Sequence, residues 1–156
     1  MLRIDVRSLR QGSVRTEAAL PPDHPAFHGL PVTLNGPVTV TGELQGAGAE
    51  TFRWVGHIAG RVSGECRRCL TSVVVPFATD VAAVITSAPE VADDPGAYLL
   101  PGPVTVVDLT DAVREEVGLI APTFPICREE CAGLCPRCGA DLNAGPCGCA
   151  QSPEPV

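Results

Sequence analysis

The chain has 156 residues and a mass of 16.2 kDa, with 11 basic side chains against 18 acidic ones and a formal net charge of −7. Every basic residue is an arginine, and the balance excludes a histone-like or polybasic nucleic-acid binder, which holds phosphates with surplus positive charge. Charged residues make up 19% and hydrophobic ones 45%, so wholesale disorder is excluded as well.

In chain order, Leu2 to Val6 alternates and predicts a short strand, followed by a polar, arginine-bearing stretch to Arg15. Leu20 to Pro31, rich in proline and histidine, reads as loop. Val38, Val40, Gly42 and Leu44 then alternate with Thr39, Thr41 and Glu43, the period of a half-buried strand. Gln45 to Ala49 reads as a turn, after which Thr51 to Val62 resumes alternation with Phe52, Trp54 and Ile58 on one side. Leu70 to Phe77 and Val81 to Ile85 are again β-branched and apolar, which places Cys66-Arg-Arg-Cys69 where two long antiparallel strands reverse. Ser87 to Pro103, with Asp93, Asp94 and Gly96 among its prolines, reads as a mobile acidic loop. Val104 to Val107 predicts a short strand, and Asp108 an N-cap with Asp111 in the first helical turn. Leu109, Val113, Val117 and Ile120 give the helix one apolar face, and Pro122 ends it. From Pro125 on there are too few large apolar residues for a separate core, so this stretch needs a staple.

The staple is written in cysteine. Of eight cysteines, six fall within the 23 residues from Cys127 to Cys149. An even number admits a disulfide framework. However, the first residues, Met1 to Arg7, show neither an apolar h-region nor a cleavage site. No apolar run approaches the roughly 20 residues that cross a bilayer, so a cytoplasmic protein without a membrane partner is expected. Thiols there stay reduced unless they bind metal or do redox chemistry. Spacing favours metal. Cys135-Pro-Arg-Cys138-Gly139 has the form of a zinc knuckle, and Cys147-Gly-Cys149 offers a second pair eight residues later. Four thiolates at about 2.3 Å close a tetrahedral shell with no open position, which is a structural site whose binding energy is folding energy. Cys66, Cys69, Cys127 and Cys131 remain as a second set of four, so two zinc ions with four cysteines each are expected. One zinc with the remaining thiols simply buried stays open as the alternative. The spacing matches no ferredoxin pattern.

Catalytic motifs are not evident. Neither C-x-x-C follows a strand and opens a helix, as a redox pair would. His24, His28 and His57 have no ligand or base spacing with one another, and Glu115 and Glu116 diverge on a helix and read as a solvated face. There is no P-loop, no G-x-G-x-x-G and no nucleophile elbow, so neither an enzyme nor a small-molecule substrate is expected. Arginine is unevenly spread. Residues 1–15 hold Arg3, Arg7, Arg10 and Arg15 against Asp5, and residues 51–70 hold Arg53, Arg61, Arg67 and Arg68 against Glu65. Arg3, Arg7, Arg53, Arg61, Arg67 and Arg68 are therefore candidate phosphate contacts, on the expectation that the N-terminal arm and the hairpin tip share one basic face. The bland reading is scattered surface arginine packed over strands.

Gly64 to Leu70, Val107 to Val117 and Pro125 to Asn143 together resemble the YceD family of bacterial proteins, named for accumulation of large-subunit (23S) ribosomal RNA. The last stretch is the most specific. The resemblance implies a role in synthesis, processing or stability of large-subunit rRNA, with the rRNA, a pre-ribosomal particle or a ribosomal protein as partner, and it turns the six candidate arginines into candidate RNA contacts. It also implies that some members lack a counterpart of Cys135 to Cys149 while keeping those of Cys66, Cys69 and Cys131, so the two metal sets are separable.

The expected architecture is α+β: an antiparallel, barrel-like sheet, one main helix and a C-terminal zinc-ribbon-like tail. Residues 1–126 form the core domain, 127–150 the cysteine-rich tail docked on it, and 151–156 a disordered end. Two rivals to the ribosome-assembly reading are a zinc-stabilised interaction adaptor without RNA contact and a redox-sensitive zinc switch. Eight thiolates with two Zn²⁺ take the formal charge from −7 to −11, so any RNA contact is expected through a small defined face.

Overall fold

The computed structural model describes residues 1–48, 50–88, 96–100 and 104–151. The strands among these are β1 (Arg3–Asp5), β2 (Val14–Leu20), β3 (Thr33–Leu34), β4 (Val38–Gly48), β5 (Thr51–Glu65), β6 (Ser72–Thr86), β7 (Ala97–Leu99) and β8 (Val106–Asp108), followed by helix α1 (Thr110–Ile120). Three long antiparallel strands, β4, β5 and β6, carry the sheet, with Leu44 opposite Trp54 and Trp54 opposite Ala83. The strand β2 pairs with β4 at one edge, β7 runs parallel to β6 at the other, and β3 continues beside β5 beyond the start of β4. A separate antiparallel pair, β1 with β8, places Ile4 opposite Val107.

Alternation explains which face is buried. Val38, Val40 and Leu44 of β4, Phe52, Trp54, Ile58 and Val62 of β5, and Phe77, Val81, Ala83 and Ile85 of β6 form one core with Ile4, Val107, Leu109, Val113 and Val117. Positions 56 and 60 on the same face of β5 are glycine because rings lie over them. A Cβ on Gly56 would meet Trp54 Cζ2 at 2.3 Å, and one on Gly60 would meet Phe77 Cζ at 2.6 Å. The Trp54 Nε1–H donates to Thr16 Oγ1 at 2.9 Å, so the buried indole is satisfied.

Several expectations need correction. Among the described residues the sheet does not close into a barrel: β2 and β7 are its two edges and do not pair. Three-residue β7 is too short to carry the sheet round, and the core is covered instead by the β1–β8 pair and α1. The turn expected from Gln45 is strand as far as Gly48, with a register shift between Gly46 and Gly48 that side-chain-free residues accommodate, and Glu50 then takes φ 54°. Of the expected mobile acidic loop, Asp93 and Asp94 lie outside the described residues, while Gly96 is described and leads into β7. Residues 152–156 of the expected disordered end also lie outside them. The stretch read as loop from Leu20 contains a single 3-10 turn, Pro25–Phe27, capped by His24 and burying Phe27. Asp108 ends β8, so Leu109 takes the helix cap position, and Asp108 Oδ1 instead accepts from Thr110 N–H at 2.9 Å. No helix among the described residues is long and apolar enough to cross a membrane.

Candidate metal centres

The hairpin joining β5 and β6 reverses at Cys66–Cys69. The Leu70 N–H donates to the Cys66 carbonyl at 2.8 Å and the Cys66 N–H to the Thr71 carbonyl at 2.8 Å. The tail repeats this turn. Gly139 N–H donates to the Cys135 carbonyl at 2.9 Å and Cys135 N–H to the Ala140 carbonyl at 2.8 Å. In both, the residue after the second cysteine is left-handed, with φ 61° at Leu70 and 73° at Gly139. The tail therefore contains a backbone copy of the hairpin tip.

Each turn is completed by a second cysteine pair. The Sγ atoms of Cys66, Cys69, Cys127 and Cys131 all lie within 4.8 Å of one another, as do those of Cys135, Cys138, Cys147 and Cys149. We call these the hairpin set and the tail set. Cys66 and Cys131 sulfurs are 3.8 Å apart and those of Cys69 and Cys127 3.7 Å, far beyond a disulfide bond. A tetrahedron with metal–sulfur bonds of about 2.3 Å has edges of about 3.8 Å, so the donor type and spacing both fit zinc. Cys66, Cys69 and Cys131 are buried and Cys127 is exposed, whereas in the tail set only Cys135 is buried.

Electrostatics point the same way. Burial pushes the Cys66 thiol up, but the N–H groups of Cys69, Arg68 and Cys127 and the Cys69 side chain bring it down to about 6. Backbone N–H groups of Cys138 and Arg137, with the Cys147 thiol, hold Cys135 at about 6. Cys127 is pushed up to about 12, chiefly by its hydrogen bond with Cys131 and by burial, and Cys149 to about 12 by Cys138 and burial. In the hairpin set burial pushes Cys131 up too, but the Asn143 side chain and the Gly133 N–H bring it down, and in the tail set Cys147 is raised, chiefly by Cys135. Each set therefore mixes lowered and raised thiols and resists a full complement of four thiolates. A divalent cation removes that resistance, because every thiolate then faces positive charge.

The hairpin set is docked by more than sulfur. Arg67 N–H donates to the Pro125 carbonyl at 3.0 Å and Leu134 N–H to the Arg68 carbonyl at 3.0 Å. Arg68 Nη1 donates to the carbonyls of Glu129 at 2.7 Å and Cys131 at 3.1 Å. Sequence reasoning placed Arg68 at an RNA contact and missed this use. It also missed Asn143, whose amide contacts Cys131. The only sequence signal was a polar residue standing between two ligand pairs.

The six candidate arginines are all exposed and are distributed over different elements. Arg3 pairs with Asp108 at 3.3 Å on the β1–β8 ladder, and Arg7 lies in the 3-10 helix Val6–Gln11. Arg53 and Arg61 share the outer face of β5, about 26 Å apart along the strand. Arg67 sits at the tip beside Leu70, Phe124 and Pro125, which line a cleft of about 320 Å³. His57 Nδ1 meets Asp80 Oδ1 at 2.7 Å on that outer face, which makes it a hydrogen-bond partner of the neighbouring strand.

Among the described residues, an open, mainly β sheet with one α-helix and two groups of four cysteines at metal-ligand spacing make a small α+β protein compatible with metal binding. Residues 55–155, which carry both sets, match the family described as "Large ribosomal RNA subunit accumulation protein YceD", and the chain belongs to that family. It is also similar to uncharacterised proteins of Mycobacterium bovis and Mycobacterium tuberculosis, each 35% identical over 97 residues. A Mycobacterium leprae protein, likewise uncharacterised, is 32% identical over 96 residues. The match covers 58% of this chain but only 43–45% of these relatives, so the aligned part spans less than half their length. No solved structure gives a significant match.

Proposed function

We propose that this chain is a cytoplasmic, non-enzymatic factor for synthesis, processing or stability of large-subunit (23S) rRNA in ribosome assembly, held together by two structural zinc ions with four cysteines each. The observation that carries the reading is family membership across residues 55–155, the stretch containing both cysteine sets. Zinc in the hairpin set would cross-link chain segments some 60 residues apart and fix the tail against the hairpin tip. Its closed thiolate shell would supply structure and no reactive position. Arg67 is the arginine best placed for a direct phosphate contact, because its side chain is exposed at the tip while Arg68 is engaged with the tail.

A second reading is favoured by charge. A chain of net charge −7, more acidic still with zinc bound, suits contact with a basic ribosomal protein, the RNA being reached indirectly. Sedimentation with large-subunit precursors, combined with cross-linking in cells and identification of the bound RNA and protein, tests both. Co-sedimentation with RNA cross-links lost in Arg67→Ala, at unchanged zinc content, supports direct contact. Co-sedimentation with protein cross-links alone supports the adaptor reading, and free migration of a zinc-loaded chain overturns the ribosomal role.

A further inference from the structure

The two cysteine sets are not independent, and one side chain joins them. Asn143 lies on the stretch between Cys138 and Cys147, which a metal ion in the tail set would close into a loop. Its side chain points at the other set: Asn143 Nδ2 donates toward Cys131 Sγ at 3.5 Å. The same amide donates to Asp141 Oδ1 at 2.7 Å, while its Oδ1 accepts from Ala132 N–H at 2.9 Å and Arg128 Nη2 at 2.9 Å. Next to it, Leu142 N–H donates to the Gly133 carbonyl at 2.9 Å. The tail loop therefore rests on the short link Cys131–Cys135 that both sets share.

We infer that Asn143 couples the two sets, so that a metal ion in the tail set slows release of the ion in the hairpin set. This rests on the reading of both sets as zinc sites. The physical reasons are two. An N–H donor to a ligand sulfur takes up part of the thiolate's charge and holds the ligand in place, and such outer partners commonly set metal affinity within a range of about 10–100-fold. The donor here is held in place by its loop. Beyond the side-chain bonds of Asn143 with Arg128, Ala132 and Asp141, the loop is tied down among the described residues by the Leu134–Asp141 bridge and a few turn bonds, so closing it through Cys138 and Cys147 fixes the backbone that carries Asn143. Linkage makes the equilibrium part of the effect mutual: by whatever factor an ion in the tail set raises the affinity of the hairpin set, an ion in the hairpin set raises that of the tail set.

The test uses the full zinc-loaded chain. Native mass spectrometry counts the metal, and a chelator challenge with pulsed N-ethylmaleimide labelling, mapped to each cysteine, shows which set opens. In Asn143→Ala, two zinc ions are retained at the start, and Cys66, Cys69, Cys127 and Cys131 become labelled about tenfold faster than in the wild type. Replacing Cys147 and Cys149 by serine leaves one zinc and the same acceleration at the hairpin set. Adding Asn143→Ala to that variant changes nothing further, because the donor is already displaced. Hairpin thiols labelled at the wild-type rate in Asn143→Ala overturn the coupling while leaving the zinc reading intact. A wild-type chain with fewer than two zinc ions overturns both. Should the serine variant fail to fold, as Trp54 fluorescence would show, Asn143→Ala decides alone.

Discussion

Arg68 Nη1 donates to the backbone carbonyl of Cys131 at 3.1 Å, so a residue inside the first C-x-x-C clamps the loop that carries its partner ligands. The same nitrogen reaches the Glu129 carbonyl at 2.7 Å. Charged donors to carbonyls are stronger than neutral ones, but both contacts are partly or fully open to water, so Arg68→Ala is expected to cost about 1 kcal/mol. Thermal unfolding of the zinc-loaded chain measures it. Arg67→Ala, which leaves the backbone bond to Pro125 intact, should stay within about 0.5 kcal/mol of the wild type. Equal losses in the two variants would contradict the clamp.

Trp54 and Thr16 predict a larger effect in the core. Both are buried, and no buried side-chain nitrogen or oxygen among the described residues lacks a partner. Thr16→Val keeps the shape and strands the indole N–H, which costs about 1–3 kcal/mol. Thr16→Ser retains the hydroxyl and should cost less. Urea denaturation followed through Trp54 fluorescence compares them, and a Val variant no weaker than Ser would show that the bond contributes nothing.

Metal removal should separate tail from sheet. Trp54 lies twelve positions up β5 from Cys66, within a core built from sheet, helix and the β1–β8 pair. The tail contributes nothing to that core, so on the zinc reading its order depends on thiolate ligation. Chelation is expected to open tryptic cleavage after Arg128 and Arg137 while leaving Trp54 fluorescence nearly unchanged. Simultaneous loss of both signals would mean that sheet and tail fold as one unit.

What could be read from the sequence follows from the range of the interactions. The strands β4, β5 and β6 were legible because one residue in two meets the core, and that period is local. The cysteine sets were legible because two-residue gaps make knuckles, although the pairing of Cys66 and Cys69 with Cys127 and Cys131 rested only on what remained. Barrel closure was misread because it depends on whether β2 meets β7, a contact between distant edges that no local pattern encodes. The strand β7 escaped because Ala97–Leu99 is too short to show a period. The structural use of Arg68 was illegible for a related reason: composition marks an arginine as a phosphate donor, and only the docked tail reveals that its guanidinium also holds the Glu129 and Cys131 carbonyls.

The duplicated knuckle gives a pair of reciprocal predictions. Leu70 and Gly139 occupy the same place in the two turns, both with positive φ, yet only glycine adopts that region without steric cost. Nothing lies within 4 Å of a Cβ built on Gly139, so Gly139→Ala meets no neighbour and its effect is conformational alone. Left-handed backbone costs an L-residue about 1–2 kcal/mol, against which alanine's stiffer unfolded chain returns a few tenths to about 1 kcal/mol. Gly139→Ala should therefore weaken zinc at the tail set by several-fold, and by about twentyfold at most. Leu70→Gly runs the other way. It relieves strain at a side chain that is 58% exposed and has little burial to lose, so the hairpin set should hold its metal as tightly as before or tighter. Competition against a chelator of known affinity, resolved by thiol labelling, reads both sites in one experiment. A tail set indifferent to Gly139→Ala, or a hairpin set weakened by Leu70→Gly, would show that the two turns are alike in hydrogen bonding but not in energetics.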